Sequence, residues 1–233
     1  MRAFDCAART EAACIAVQRE LLAGIDQKDR LDRVDTVAGV DIAYWQASGG
    51  EQAVCCIVLI DCASRAVIEK RHAAGPVTFP YIPGCLAFRE LPLVLEAAGR
   101  LETWPDLFFF DGNGFLHPRR MGLATHASFY LDAPAIGVAK HYFRVQGAVL
   151  TPPDRQAGAW GDIALDGEVL GRAVRTHTDV RPVYVSVGNY VTLDTATALA
   201  LSLTDRESHI PIPTRYADLE THIQREHLKG RIP

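Results

Sequence analysis

Three acidic residues stand where a folded chain places charge only with a use for it. Asp41 interrupts the apolar run Val37-Ala-Gly-Val-Asp-Ile-Ala. On a strand it shares a face with Gly39 and Ala43, both small. A carboxylate on a central strand is costly unless it is paired or binds a metal. Asp111 ends the run Leu107-Phe-Phe-Phe and is followed by Gly-Asn-Gly. Ligands of open α/β sheets bind beyond the carboxyl ends of the strands. Glu90 follows Phe88-Arg89 at the start of a helical pattern. Taken singly, each of the three reads as an ordinary exposed or capped carboxylate. Taken together, they are three carboxylates from separate segments that can converge. An all-oxygen set, with no thiol or paired histidine, favours Mg²⁺, with Mn²⁺ as a substitute, over Zn²⁺. A cation held this way suits phosphodiester hydrolysis.

The segment Asp111-Gly-Asn-Gly-Phe-Leu-His-Pro-Arg-Arg-Met-Gly122 extends that set. Glycines beside a carboxylate let a phosphate or base approach the backbone. His117 can serve as acid, base or phosphate contact, or as a hydrogen-bonded loop histidine. Arg119 and Arg120 add charge. Lys140 follows Ile136-Gly-Val-Ala139 and ends another strand near the same edge, unless it is simply a solvated lysine. Other nucleotide and hydrolase signatures are absent. There is no G-x-x-x-x-G-K-[ST] loop, no third glycine at Rossmann spacing after Gly112-Asn-Gly114, and no G-x-S-x-G elbow around Ser186. His222 and His227 read as surface residues.

The elements that must position these groups follow from periodicity. Thr10 to Ile25 reads as a helix with Thr10 as N-cap. Val37 to Tyr44, Val54 to Asp61 and Ala66 to His72 read as strands joined by short turns, an antiparallel meander. Thr78 to Pro83, with two prolines, is a loop. Leu86 to Leu101 is helical, and Leu107 to Phe110 is a short buried strand. Gly122 to Tyr130 reads as helix and Pro134 to Ala139 as strand. Glu168 to Arg175 and Pro182 to Val187 are further strands, and Leu193 to Leu203 is a helix. Thr151 to Asp162 is the longest irregular piece. Strands followed by alternating helices and strands give a mixed α/β fold, expected as one domain over residues 1–233.

Composition agrees with a folded globular chain. Of 233 residues, 48% are apolar and 22% charged, which argues against disorder and fibrous classes. No apolar run reaches the ~18–20 residues a membrane span needs, and Met1 to Cys6 lacks the apolar stretch of a signal peptide. A cytoplasmic protein with no membrane partner is expected. All six cysteines lie in the first 85 residues without a C-x-x-C pair, so reduced thiols are expected. The net charge of −4 argues against coating nucleic acid by bulk charge. Residues 1–116 hold 11 basic and 16 acidic groups, and residues 117–233 hold 13 and 12. Basic residues gather around Arg119, Arg120, Lys140, His141 and Arg144, and around Arg172, Arg175, His177 and Arg181.

Six segments together resemble the endonuclease V family, which cleaves deaminated, inosine-containing nucleic acid. They are Val37-Ala-Gly-Val-Asp-Ile42, Tyr81-Ile-Pro-Gly-Cys-Leu-Ala-Phe-Arg-Glu90, Asp111 to Gly122, Pro134 to Lys140, Pro182 to Gly188 and Ile210-Pro-Ile-Pro-Thr-Arg215. They run in family order across nearly the whole chain. The resemblance implies a ribonuclease H-like mixed sheet flanked by helices. It implies metal-dependent hydrolysis, in DNA repair, of the second phosphodiester bond 3′ to inosine, leaving 3′-hydroxyl and 5′-phosphate ends. It assigns Asp41 and Asp111 as metal ligands and Glu90 as the third catalytic carboxylate. His117 and Lys140 would act at the scissile phosphate, with Asp218 as further support. Pro80-Tyr81-Ile82-Pro83 would be the wedge that enters the duplex. Gly84, Leu86, Gly112 and Gly137 would line the pocket for the extruded base. The partner is DNA, or RNA, containing inosine, and the chain is expected to act as a monomer.

The chain departs from the family at Asn189, where histidine is usual, at Ile212, where glutamate is common, and at Asn113, a frequent glutamine. These put the support of the site, substrate preference and rate in question. Two other readings compete: a related nuclease for flaps or inosine-containing RNA, and a damage-binding module without catalysis. Retention of Asp41, Glu90 and Asp111 argues against the second, because binding alone needs no three-carboxylate cluster.

Overall fold

The computed structural model describes residue 4 and residues 10–230. Helix α1 (Glu11–Leu22) starts at the expected cap, where the Thr10 hydroxyl accepts from the Ala13 N–H at 3.3 Å. Strands β1 (Thr36–Ala47), β2 (Gly50–Asp61) and β3 (Val67–Pro76) then form the expected antiparallel meander. Helix α2 (Leu86–Ala98), β4 (Leu107–Asp111), α3 (Leu123–Leu131) and β5 (Ala135–Ala139) alternate after it. The chain continues through β6 (Val149–Leu150), β7 (Trp160–Leu165), β8 (Glu168–Val174), β9 (Val183–Asn189), α4 (Leu193–Ser202) and α5 (Ile212–Leu228).

All nine strands join one sheet in the order β3-β2-β1-β4-β5-β9-β8-β7-β6. Only β1, β4 and β5 run parallel to their neighbours within that group. Their carboxyl ends therefore open at the same edge of the sheet.

Alternation along the central strands sends side chains to two cores. Ala38, Val40, Phe108 and Phe110 pack with Leu91 and Val94 of α2 and Leu123 and Ala127 of α3. Val37, Leu107, Phe109, Ile136 and Val138 pack on the other face with Ala196 and Ala200 of α4 and Ile212 and Ala217 of α5. A sheet buried on both faces explains why β4 reads as a continuous apolar run.

Three elements differ from expectation, the first being the two-residue strand Val149–Leu150, where no element is predicted. Trp160–Leu165 is a strand, although the sequence reads as irregular up to Asp162. Ile212–Leu228 is a 17-residue helix in a region with no predicted element. Its buried residues are Ile212, Pro213, Thr214, Ala217, Glu220 and Thr221. That face is mostly small or polar, and the apolar residues at helical spacing along it, Tyr216, Leu219 and Ile223, are only half-buried or exposed. It sits close to the sheet because Gly39 makes room: a Cβ there would lie 1.8 Å from the Pro213 carbonyl oxygen.

Cys14, Cys55, Cys56, Cys62 and Cys85 are free thiols, and Cys6 lies outside the described residues. Among the described residues, no helix is long and apolar enough to cross a membrane.

Candidate active site

Asp41 and Asp111 lie one residue past the last paired step of β1 with β4, Val40 with Phe110. Asp41 follows the parity of Val37 and Gly39, and Asp111 that of Leu107 and Phe109. Both carboxylates therefore face α5, where Asp218 meets them. Ligand oxygens of Asp41, Asp111 and Asp218 all lie within 4.8 Å of one another. Lys140, just past β5, places Nζ 2.7 Å from Asp111 Oδ2 and 3.2 Å from Asp218 Oδ1. Thr221, one helical turn beyond Asp218, lies with its hydroxyl 3.2 Å from Asp41 Oδ2 and 2.7 Å from the Asp218 carbonyl.

Glu90 enters from α2, on the other face. It is 7% exposed. Its Oε1 accepts a 2.7 Å hydrogen bond from the Tyr44 hydroxyl. The mutually close trio among the described residues thus includes Asp218 in the place expected for Glu90. Glu90 remains near enough for the charges of Asp41 and Asp111 to act on it.

Three acids, Asp41, Asp111 and Asp218, act on one lysine, with Glu90 near them on the other face. Burial pushes the Asp41 carboxyl up to about 7, and the Asp111 charge adds to it. Burial likewise raises Glu90 to about 8, with Asp41 contributing and the Tyr44 hydrogen bond opposing. Asp111 is raised by burial, with the Lys140 hydrogen bond working against it. Burial opposes the charge on Lys140, but the hydrogen bond and charge of Asp111 hold its pKa above the ordinary lysine value. Such crowding of partly desolvated carboxylates is relieved by a divalent cation. The donors are oxygen only, so Asp41, Asp111 and Asp218 fit a hard cation such as Mg²⁺.

On the opposite face, at the same end of the sheet, lies a cavity of about 210 Å³. That is several times the ~30 Å³ share of a water molecule. Tyr81, Ile82, Gly84, Leu86, Gly112, His117 and Phe143 are among its lining. The expected pocket residues Gly84, Leu86 and Gly112 are present. Gly137 is not. A Cβ at Gly137 would lie 2.6 Å from the Gly112 carbonyl and 2.6 Å from the Gly114 nitrogen. Its role is to let the 112–114 loop lie directly on β5.

The rim is the expected loop. Phe79 is buried at its base, while Tyr81 is 71% exposed. Pro80 and Pro83 are exposed, and Ile82 is half-buried. Arg89 ties the stem down: it donates to the Phe79 carbonyl at 2.8 Å and pairs with Glu51.

Gly84 holds the inner wall. Its φ of +74° is a conformation that favours glycine. Its carbonyl accepts from Gln18 Nε2 at 2.9 Å and from Arg119 at 2.7 Å. Gln18, 1% exposed on α1, also accepts from Arg119 Nε at 2.5 Å. This network was invisible in the sequence, because Gln18 sits in an unremarkable helical pattern. Arg119 is therefore a strut of the cavity and does not project charge outward.

His117 belongs to the same wall and not to the acidic cluster. Its Nδ1 accepts from the Arg119 and Met121 N–H groups at 3.2 and 3.4 Å, and its ring also bonds the Gly84 backbone. Burial, reinforced by Arg119, pushes its pKa down to about 4. A neutral, fully engaged imidazole stacked parallel to Phe143 is a wall of the cavity, in place of the expected contact at the phosphate.

The other basic groups are mostly spoken for. Arg120 pairs with Glu168 at 2.6 Å, and Arg172 with Asp162 and Asp194 at 3.0 and 2.6 Å. Arg175 bonds backbone carbonyls of Asp154 and Val180. Asn189 is fully buried, and its Oδ1 accepts from the Asp26 N–H at 2.7 Å. It serves as a bracket between β9 and the segment after α1. His222 and His227 are exposed, as expected.

Comparison with known proteins agrees with this geometry. The family model for endonuclease V matches residues 19–219. An endonuclease V of Bacillus subtilis is 53% identical over 194 residues, covering 83% of this chain and 82% of the relative. A crystal structure of endonuclease V from Bacillus subtilis superposes with a TM-score of 0.94 at 46% identity, covering 98% of each chain. Endonuclease V from Ciona intestinalis, solved with a 24mer DNA containing an inosine followed by a ribo-adenosine, gives a TM-score of 0.82 at 26% identity, covering 93% of this chain and 98% of its own. At the level of fold alone, an Aquifex aeolicus Argonaute aligns at 15% identity with a TM-score of 0.51 over 82% of this chain and 28% of its own, in keeping with a ribonuclease H-like architecture. With the family model matched over most of its length and a relative more than half identical, this chain belongs to the endonuclease V family.

Proposed function

We propose that the chain is a divalent-metal-dependent endonuclease that recognises inosine in nucleic acid and hydrolyses the second phosphodiester bond on its 3′ side. The observation that carries this reading is the pairing of two features at one end of the sheet. The trio Asp41, Asp111 and Asp218 lies on one face, and a cavity rimmed by an exposed tyrosine lies on the other. The separation suits an enzyme that holds a base in one place and cuts the backbone in another. The DNA complex of the Ciona relative supports the substrate class.

Asp41, Asp111 and Asp218 would hold the cation, with Glu90 beside them. A cation bound there supplies charge neutralisation at the phosphate and a more acidic water. Lys140 neutralises part of the carboxylate cluster and keeps Asp111 and Asp218 oriented. Glu90, anchored through Oε1 by Tyr44, has Oε2 to orient a water or take its proton. Tyr81 would stack in the gap left by the extruded base, on a loop stiffened by Pro80 and Pro83.

The test is cleavage of matched DNA and RNA strands carrying one inosine, with and without Mg²⁺. Mg²⁺-dependent nicking of the inosine strands is expected. No cutting of either under any divalent metal would leave a binding module. Comparison of the two strands also decides sugar preference, a question raised by the ribo-adenosine in the Ciona complex.

A further inference from the structure

We infer that Tyr44 is a positioning residue for Glu90, fixing the fourth carboxylate of the acidic site; this rests on the reading of that site as a metal centre. Alternation along β1 sends Asp41 toward α5 and Tyr44 toward α2. One strand thus supplies a member of the acidic trio and the support of the acid that faces it from the other side. The Tyr44 hydroxyl donates to Glu90 Oε1 at 2.7 Å. Among the described residues, no basic side chain forms an ion pair with Glu90, and Tyr44 gives it a hydrogen bond. Without that bond the carboxylate of a long side chain, nearly buried, would be free to rotate away from Asp41 and Asp111.

The phenol is itself held. The Arg89 guanidinium lies 4.7 Å from the centroid of its ring. Arg89 is anchored by the Phe79 carbonyl and by Glu51, and the Glu51 carbonyl accepts from the Val77 N–H at 2.9 Å. The ring therefore cannot turn without disturbing the stem of the Tyr81 loop. Burial raises the Tyr44 pKa further above its ordinary value, so the hydroxyl stays a donor throughout the working range.

Tyr44→Phe keeps the ring under Arg89 and deletes the donor to Glu90, together with the hydrogen bond between the hydroxyl and Arg89. The experiment is calorimetric titration of the metal-free full chain with Mn²⁺, alongside the Mg²⁺ concentration giving half-maximal nicking. A hydrogen bond to a charged group corresponds to about a tenfold change in an equilibrium constant. Tyr44→Phe should weaken Mn²⁺ binding and raise the half-saturating Mg²⁺ by about that factor, with affinity for inosine duplex in EDTA unchanged. In a Glu90→Gln background the same substitution should add nothing. Mn²⁺ binding by Tyr44→Phe equal to wild type, or additive losses in the double variant, would overturn the inference alone. A wild-type chain that binds no Mn²⁺ would overturn the metal reading and the inference with it.

Discussion

At the scale of residues, the acidic cluster and the buried histidines pull stability in opposite directions as pH changes. Asp41 and Glu90 have pKa values raised to about 7 and about 8, from ordinary values of 3.8 and 4.5. In the metal-free protein the native state therefore holds their protons more tightly than the unfolded chain does. Their contribution is present at low pH and is lost as pH rises through the folded values. His117 and His126 behave inversely. Their pKa values fall from 6.5 to about 4 and about 3, chiefly by burial. The stability they cost is regained as pH rises toward 6.5. Below about 6.5 the two effects oppose each other, whereas between about 6.5 and 8 only the carboxylates titrate. Thermal unfolding of the metal-free chain should show Tm falling across that upper window, and saturating Mg²⁺ should cancel the fall. A flat or rising Tm there without metal would mean that the acids are not crowded as described. Apparent metal affinity should rise over the same interval, because bound protons must leave first.

At the scale of elements, two packing arrangements are exposed to test. Gly39 admits α5 and with it Asp218. A Gly39→Ala methyl would lie 1.8 Å from Pro213 oxygen, so the helix must shift. Overpacking of this kind costs about 1–3 kcal/mol, and metal affinity should fall in the same variant. Unchanged stability would show that α5 is not pinned there. The loop between β3 and α2 carries Tyr81 well out in solvent. Tyr81→Ala should lower affinity for inosine duplex by about 1–3 kcal/mol, the size of a base-aromatic stacking interaction, and affect undamaged duplex less. Equal losses on both duplexes would remove the wedge role.

These elements also mark how far the sequence could be read. β4 and β5 were legible because a strand buried on both faces is an unbroken apolar run, and the placement of Asp111 and Lys140 followed from where those runs stop. The meander was legible from its turns. α5 was not, since its buried face of threonines, alanine and proline mimics a surface. Asp218 consequently looked peripheral although it completes the trio. β7 was missed through Gly161 and Asp162, yet Asp166-Gly167 between it and β8, both at positive φ, is the dipeptide of a tight hairpin and could have revealed it. His117 shows the opposite limit: residue type suggested chemistry, but only the fold shows its ring hydrogen-bonded to the Arg119, Met121 and Gly84 backbone and stacked on Phe143.

At the scale of the whole molecule, the net charge of −4 acquires a structural reason. Several arginines grouped by the sequence are bound internally, Arg119 to Gly84 and Gln18, Arg120 to Glu168, and Arg172 to Asp162 and Asp194. Among the described residues, three arginines of those groups are thus committed to internal partners, while Arg144 and Arg181 are exposed. Binding to undamaged duplex should be weak and its dependence on log salt shallower than about −4, because each neutralised phosphate contributes roughly −0.9 to the slope. A slope typical of six to ten contacts, steeper than about −5 on the same scale, would contradict this.

The acidic trio should be what cuts the strand beside inosine. The decisive measurement maps the cut on an end-labelled duplex with one inosine, using wild type and Asp111→Ala with and without Mg²⁺. A single Mg²⁺-dependent nick at the second phosphodiester bond 3′ to inosine is expected, made at full rate by wild type alone. Asp111→Ala should be slower by at least about a hundredfold, roughly 2.7 kcal/mol in barrier. Nicking by Asp111→Ala at the wild-type rate, or equal cutting of a duplex without inosine, would contradict it.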